Sequence, residues 1–132
     1  MDWGFWIGGA MNENQLKNRT KGFAKDIVRL CRLLPNDREG RLIGNQIFRS
    51  GTSIAANYRA ACRAKSTADF VAKLAIVEEE ADETLFWLEM LGEMQILDGR
   101  QIESLMKENN EIIAIIVSSI KTARQRKLTP KL

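Results

Sequence analysis

Between Ser66 and Leu91 apolar residues return every three or four positions, at Phe70, Leu74, Val77, Ala81, Leu85, Leu88 and Leu91. That spacing gathers the set onto one stripe of an α-helix, whereas a half-buried strand would alternate residue by residue. The stretch opens with Ser66, Thr67, Ala68 and Asp69, a capping-box variant in which Asp69 stands where Glu or Gln is usual. A helix this apolar along one side must cover that side, so the rest of the chain has to supply matching stripes.

Three further segments do. The first is expected from about Asn14 to Leu34, with Leu16, Thr20, Phe23, Ile27, Cys31 and Leu34 spaced by threes and fours and Pro35 as the stop. The second starts near Asp37, a plausible N-cap, and turns Ile43, Ile47, Ile54, Tyr58 and Cys62 inward. Within it Gly44 and Gly51 weaken helix propensity, and together with Ala55 and Ala56 they let a neighbouring backbone come close. Asp98 and Gly99 mark a turn, and the last helix is expected from about Arg100 to Arg126, facing inward with Ile102, Leu105, Asn109, Ile112, Ile116 and Ile120. Residues 112–117 are β-branched enough to suit a strand, but their helical flanks decide for helix.

Four helices joined by short links imply an all-α, antiparallel up-down-up-down four-helix bundle. The chain of 132 residues suits a single domain, assigned to residues 12–132. Residues 1–11 are set aside as a leader expected to be disordered: the apolar, glycine-rich start is too short to cross a bilayer and lacks the basic opening of a signal peptide. No membrane association is expected. Phe86, Trp87 and Met90, together with Ile113, Ile115 and Val117, exceed what one bundle interior requires, which points to a homo-oligomer interface.

Charge is sorted along the chain. Residues 1–65 carry 12 basic and 5 acidic groups, residues 66–111 carry 3 and 12, and residues 112–132 carry 5 and none. In an antiparallel bundle the start of the first helix and the end of the fourth share a pole. Lys17, Arg19, Lys21 and Lys25 would there join Lys121, Arg124, Arg126, Lys127 and Lys131 in a basic cap able to hold phosphates without reading sequence. The competing reading is a solvated surface, with cations at a helix C-terminus favoured by the macrodipole. Stacking aromatics are absent from the basic stretches, where Phe23 belongs to the apolar stripe, which argues against a platform for stacking single-stranded bases.

Catalytic residues are not expected. Ser50, Thr52 and Ser53 lack a histidine base because the chain has no histidine. The acidic run Glu78 to Glu83 lacks the Glu-x-x-His partners of a di-iron bundle, so neither a metal nor a cofactor is expected, although a carboxylate-only magnesium site is conceivable. Cys31 and Cys62 sit in apolar helical patterns and read as free thiols in a reducing cytoplasm. Arg49, Ser53 and Asn57 recur every four residues along the second helix. They read as a buried, register-setting polar network closed by Glu80 and Glu83, with a ligand cradle as the alternative.

Residues 46–60, QIFRSGTSIAANYRA, followed by AKSTADFVAKLAIVEEEADETLFWLEML at 64–91, resemble the bacterial four-helix-bundle proteins encoded in intervening sequences of 23S ribosomal RNA genes. The shared patterns are R-x-x-x-S-I-x-x-N and E-x-x-E-T-x-x-W-L, and the likeness runs from about Asn14 to Arg126. It carries the family's polar positions onto Arg49, Ser53, Asn57, Glu80 and Glu83, with Trp87 as the aromatic. Where the family often has a Glu-Gly pair, this chain has Ala60 and Ala61. The resemblance implies a ring-like homo-oligomer, a pentamer in the first instance, associated with ribosomal RNA or other nucleic acid. It also implies a distant relation to accessory proteins of diversity-generating retroelements, which bind a reverse transcriptase. Two functions follow as expectations: a non-enzymatic RNA- or DNA-binding oligomer, or a protein-binding scaffold.

Overall fold

The structure, a computed structural model, describes residues 11–128, with side chains through 126. The leader expected over residues 1–10 lies outside the described residues. Met11, assigned with it on sequence, packs partly buried against the core.

Four helices follow one another: α1 (Glu13–Arg32), α2 (Arg38–Cys62), α3 (Thr67–Glu93) and α4 (Gly99–Leu128). The links are short, so sequential helices lie antiparallel and in contact. Cross-helix contacts fix the registers: Ile27 lies against Gly51, Ser50 against Thr84, Ala81 against Asn109 and Gly92 against Ile102. The closing side of the bundle, α1 with α4, is a much narrower seam than the three sequential packings.

Local chemistry places the ends. Asn12 caps α1 with a full capping box, its Oδ1 accepting from Gln15 N at 2.9 Å while Asn12 N donates to Gln15 Oε1 at 2.9 Å. Asp37 caps α2 as expected, its Oδ1 accepting from Gly40 N at 2.8 Å. Ser66 Oγ accepts from Asp69 N at 3.0 Å, and the short Asp69 carboxylate accepts from Lys65 N at 3.2 Å rather than from the cap residue itself. At the end of α3, Gln95 N donates to Gly92 O and Ile96 N to Leu91 O, a Schellman pattern with Gln95 at φ 56°.

Five expected core residues, Leu85, Cys31, Leu34, Ile43 and Leu105, are not fully buried. On α3 the buried residue is Thr84, and Leu85 is only half-buried. Alternating steps of four and three from Phe70 lead through Ala81 to Thr84, so periodicity rather than hydropathy sets which side chain turns inward. Its hydroxyl is satisfied inside, donating to Ser50 Oγ at 2.9 Å with the Glu80 carbonyl 2.8 Å away. On α1, Leu30 takes the last core position. The helix ends at Arg32, which leaves Cys31 on the flank facing α2 and Leu34 in the link beside Gly44. Ile43 and Leu105 are likewise half-buried. Tyr58, Phe23, Phe70, Leu16, Ile27, Ile47, Ile54, Leu74 and Leu88 fill the interior. Each such side chain contributes about 1.5–3 kcal/mol through its removal from water.

Candidate nucleic-acid interface

The polar line on α2 comes out at the surface. Arg49 has half its side chain exposed and reaches across to α3, donating from Nη1 to Glu80 Oε2 at 3.0 Å and from Nη2 to Glu83. The expected partnership therefore forms, but on the rim of the α2/α3 packing and not in the interior. Asn57 does not join it: Asn57 Nδ2 donates to Ser53 O at 2.8 Å, and Ser53 Oγ donates to Arg49 O, so both satisfy the helix backbone. The buried polar ties between helices are instead Ser50 to Thr84 and Asn109 Nδ2 to Ala81 O at 2.8 Å. Ser50, Thr84 and Asn109 are each fully buried.

The six residues expected at an oligomer interface do not share one face. Phe86 and Val117 are exposed, at 50% and 45%. Trp87, Met90, Ile113 and Ile115 are half-buried. Helical periodicity puts Trp87 on the α2-facing edge of α3 with Glu80, and Ile115 on the α1-facing edge of α4 with Glu111. Phe86 and Trp87 stack edge to face with ring centroids 4.8 Å apart.

The basic residues divide in the same way. Arg19 faces α4, where Nε and Nη2 fork onto Glu108 at 2.9 and 2.7 Å and Nη2 also meets Glu111. Its hydrogen bonds to Glu108 push the guanidinium pKa further up, and its charge is neutralised on the spot, which removes it from the expected basic cap. Lys25 and Lys121 point to solvent, and Arg124 borders a shallow apolar groove between α3 and α4 with Val71 and Ala75. Arg126 is exposed, and the side chain of Lys127 lies outside the described residues, as does Lys131.

Lys17 and Lys21 turn the other way, toward α2. They form one wall of a groove of about 690 Å³ whose opposite wall carries Arg59 and Arg63. Ala55, Ala56 and Ala60 floor it, and Asn18 lies at its edge. The register that sets Ile27 against Gly51 puts Lys21 opposite Asn57 and Lys17 opposite Ala61, so Arg59 and Arg63 each lie two residues, about 3 Å, further along α2. Lys17 pairs with Glu13 at 3.0 Å. Lys21, Arg59 and Arg63 have no carboxylate partner among the described residues. The two arginines escaped the sequence reading because α2 was read for its apolar stripe. Their shared four-residue spacing with Lys17 and Lys21, laid against an antiparallel hairpin, was the signal that could have found them.

Covalent chemistry finds little purchase here. Burial pushes the Cys62 thiol up to about 11, and burial also raises that of Cys31, so neither is a ready nucleophile at neutral pH. Among the described residues, His, Cys, Asp and Glu nowhere cluster as a metal site, and no helix is long and apolar enough to cross a membrane.

The chain is similar to a crystallised protein of unknown function from the S23 ribosomal protein family of Bacteroides thetaiotaomicron. The two are 41% identical with a TM-score of 0.78, over 83% of this chain and 97% of the other. No curated protein matches it. The family model described as 23S rRNA-intervening sequence protein matches residues 12–118, a span that includes all of α1, α2 and α3, and the chain belongs to that family.

Proposed function

We propose that this protein is a non-enzymatic, cytoplasmic, homo-oligomeric bundle that associates with structured RNA through cations gathered at one pole. The observation that carries this reading is the groove that brings Lys17 and Lys21 from the start of α1 together with Arg59 and Arg63 from the end of α2; the antiparallel order puts Lys121 and Arg124 at the same end of the molecule, on another face. The mid-chain carboxylates Glu80, Glu83, Glu108 and Glu111 are engaged elsewhere, by Arg49 and Arg19. The family's description, which refers to 23S ribosomal RNA, supports the choice of RNA.

Fluorescence anisotropy of a labelled RNA hairpin at stepped salt concentrations tests the reading. Binding is expected at low salt, with log K falling linearly in log salt by about 0.9 per phosphate engaged. No binding at low salt would overturn it. Exposed Phe86 and Val117 support assembly, a ring-like pentamer being the form the family resemblance suggests. Sedimentation at micromolar concentration is expected to give a mass several times the 15.0 kDa of one chain, and a monomer would remove that part of the proposal.

A second reading rests on the aromatic surface. Phe48 is 47% exposed on α2 and Phe86 is 50% exposed on α3. These rings suit a protein partner, making the molecule a scaffold or an accessory subunit, for example of a reverse transcriptase. Recovery of a stoichiometric protein partner free of nucleic acid would favour it.

A further inference from the structure

We infer that the groove between α1 and α2, and not the cationic end of α4, cradles the sugar-phosphate backbone of duplex RNA. This rests on the RNA reading above and names the surface and the ligand form. Two cations that reach across to another helix are matched: Arg19 meets Glu108 and Glu111, and Arg49 meets Glu80 and Glu83, while Arg124 lies singly beside an apolar groove. In the groove the pattern reverses: Lys21, Arg59 and Arg63 face a shared hollow and make no ion pair among the described residues, and the one carboxylate paired at its wall, Glu13, is taken by Lys17. Like charges set around a concavity repel one another, so the free protein bears an electrostatic strain that a polyanion would relieve. The helix dipole accounts for arginines at the end of α2 but favours no cation in the first half of α1.

Shape points to a backbone and not to bases. Residues four apart on a helix are about 6 Å apart along its axis, comparable with the step between neighbouring phosphates on one strand. Lys17 with Lys21 and Arg59 with Arg63 each supply that step, from opposite walls. The alanine floor offers close approach without a donor or a ring that could read or stack a base. A paired stem, which presents its phosphates outward and keeps its bases stacked, fits such a site better than an unpaired strand.

The test compares two charge-reversal variants for binding a labelled RNA hairpin and an unpaired RNA of equal length. One variant carries Lys21→Glu, Arg59→Glu and Arg63→Glu, and the other Lys121→Glu and Arg124→Glu. The groove variant is expected to lose about 100-fold or more in hairpin affinity and to show a salt slope shallower by about 3, one per cation removed. The α4 variant is expected to stay within about threefold of the parent, and the parent to prefer the hairpin. If the groove variant fails to fold, Arg59→Ala with Arg63→Ala replaces it. Because Arg59 and Arg63 make no ion pair among the described residues, its Tm is expected to be unchanged or raised, and a lowered Tm with unchanged binding would mark them as structural and overturn the proposal. Equal binding by parent and groove variant overturns the groove while leaving RNA association intact. A parent that binds neither RNA overturns both. If the groove variant keeps its RNA affinity but changes its assembled mass, the groove receives an acidic face of a second copy, and the inference is wrong.

Discussion

Two residues show how tightly the backbone constrains side-chain choice. Gly51 passes Ile27 so closely that a Cβ added there would sit 2.8 Å from both Ile27 Cγ1 and Cγ2. Because β-branched Ile27 is stiff at χ1, it has little room to yield. Gly51→Ala is therefore expected to destabilise by about 1–2 kcal/mol in urea denaturation despite alanine's higher helix propensity, and a stabilised variant would contradict this packing. Gln95 presents the opposite case. It closes the Schellman turn in the left-handed region, where a side chain is unfavourable and glycine is free. Gln95→Gly is expected to raise stability by about 1 kcal/mol, read as an increase in Tm without change in the secondary-structure signal. At this scale the sequence was only partly legible. The stripe on α3 told a reader where the core runs, yet preference for an apolar letter selected Leu85 over Thr84. Thr84 can be buried only because Ser50 and the Glu80 carbonyl await its hydroxyl. That compensation involves residues far apart in the chain and is invisible until the helices are docked.

At the scale of the element, local signals were the most readable. Pro35, Asp37, Ser66 and Asp98 punctuate the chain because caps and breakers act within a few residues. Asp69 adds a pH dependence. Its carboxylate accepts from Lys73 Nζ at 2.8 Å and from Lys65 N, and the Lys73 hydrogen bond holds its pKa below the ordinary 3.8. A depressed folded-state pKa contributes stability that is present above the unfolded value and lost as pH falls through the folded one. Melting temperature is therefore expected to drop on acidification below about pH 4, and the drop should be smaller in Asp69→Asn. Identical acid profiles for the two proteins would show that the carboxylate contributes nothing. The polar line of Arg49, Ser53 and Asn57 was legible as a face of α2 but not as a surface one. Helical spacing fixes which residues lie together, whereas burial depends on how the neighbouring helix is rotated. For the same reason the basic cap, single in the sequence, separates into the neutralised Arg19, the groove of Lys21 and Arg59, and the distant Arg124.

For the whole molecule, the short links made the architecture predictable, because sequential helices have nowhere else to go. They did not reveal that the four packings are unequal. Helices α2 and α3 are each packed on two long sides, whereas α1 rests on α2 and meets α4 along a narrow seam where Arg19 grips Glu108 and Glu111. Arg19→Met is expected to loosen that seam, with faster amide hydrogen exchange in α1 and little change in α3, and uniform acceleration along the chain would argue against it. The seam implies that the bundle opens there first, an outer helix lifting away while the α2–α3 hairpin holds. A polyanion bridging Lys21 and Arg59 would hold α1 to α2 on the side away from the seam, so slower exchange in α1 would report occupancy of the groove even without a label on the ligand.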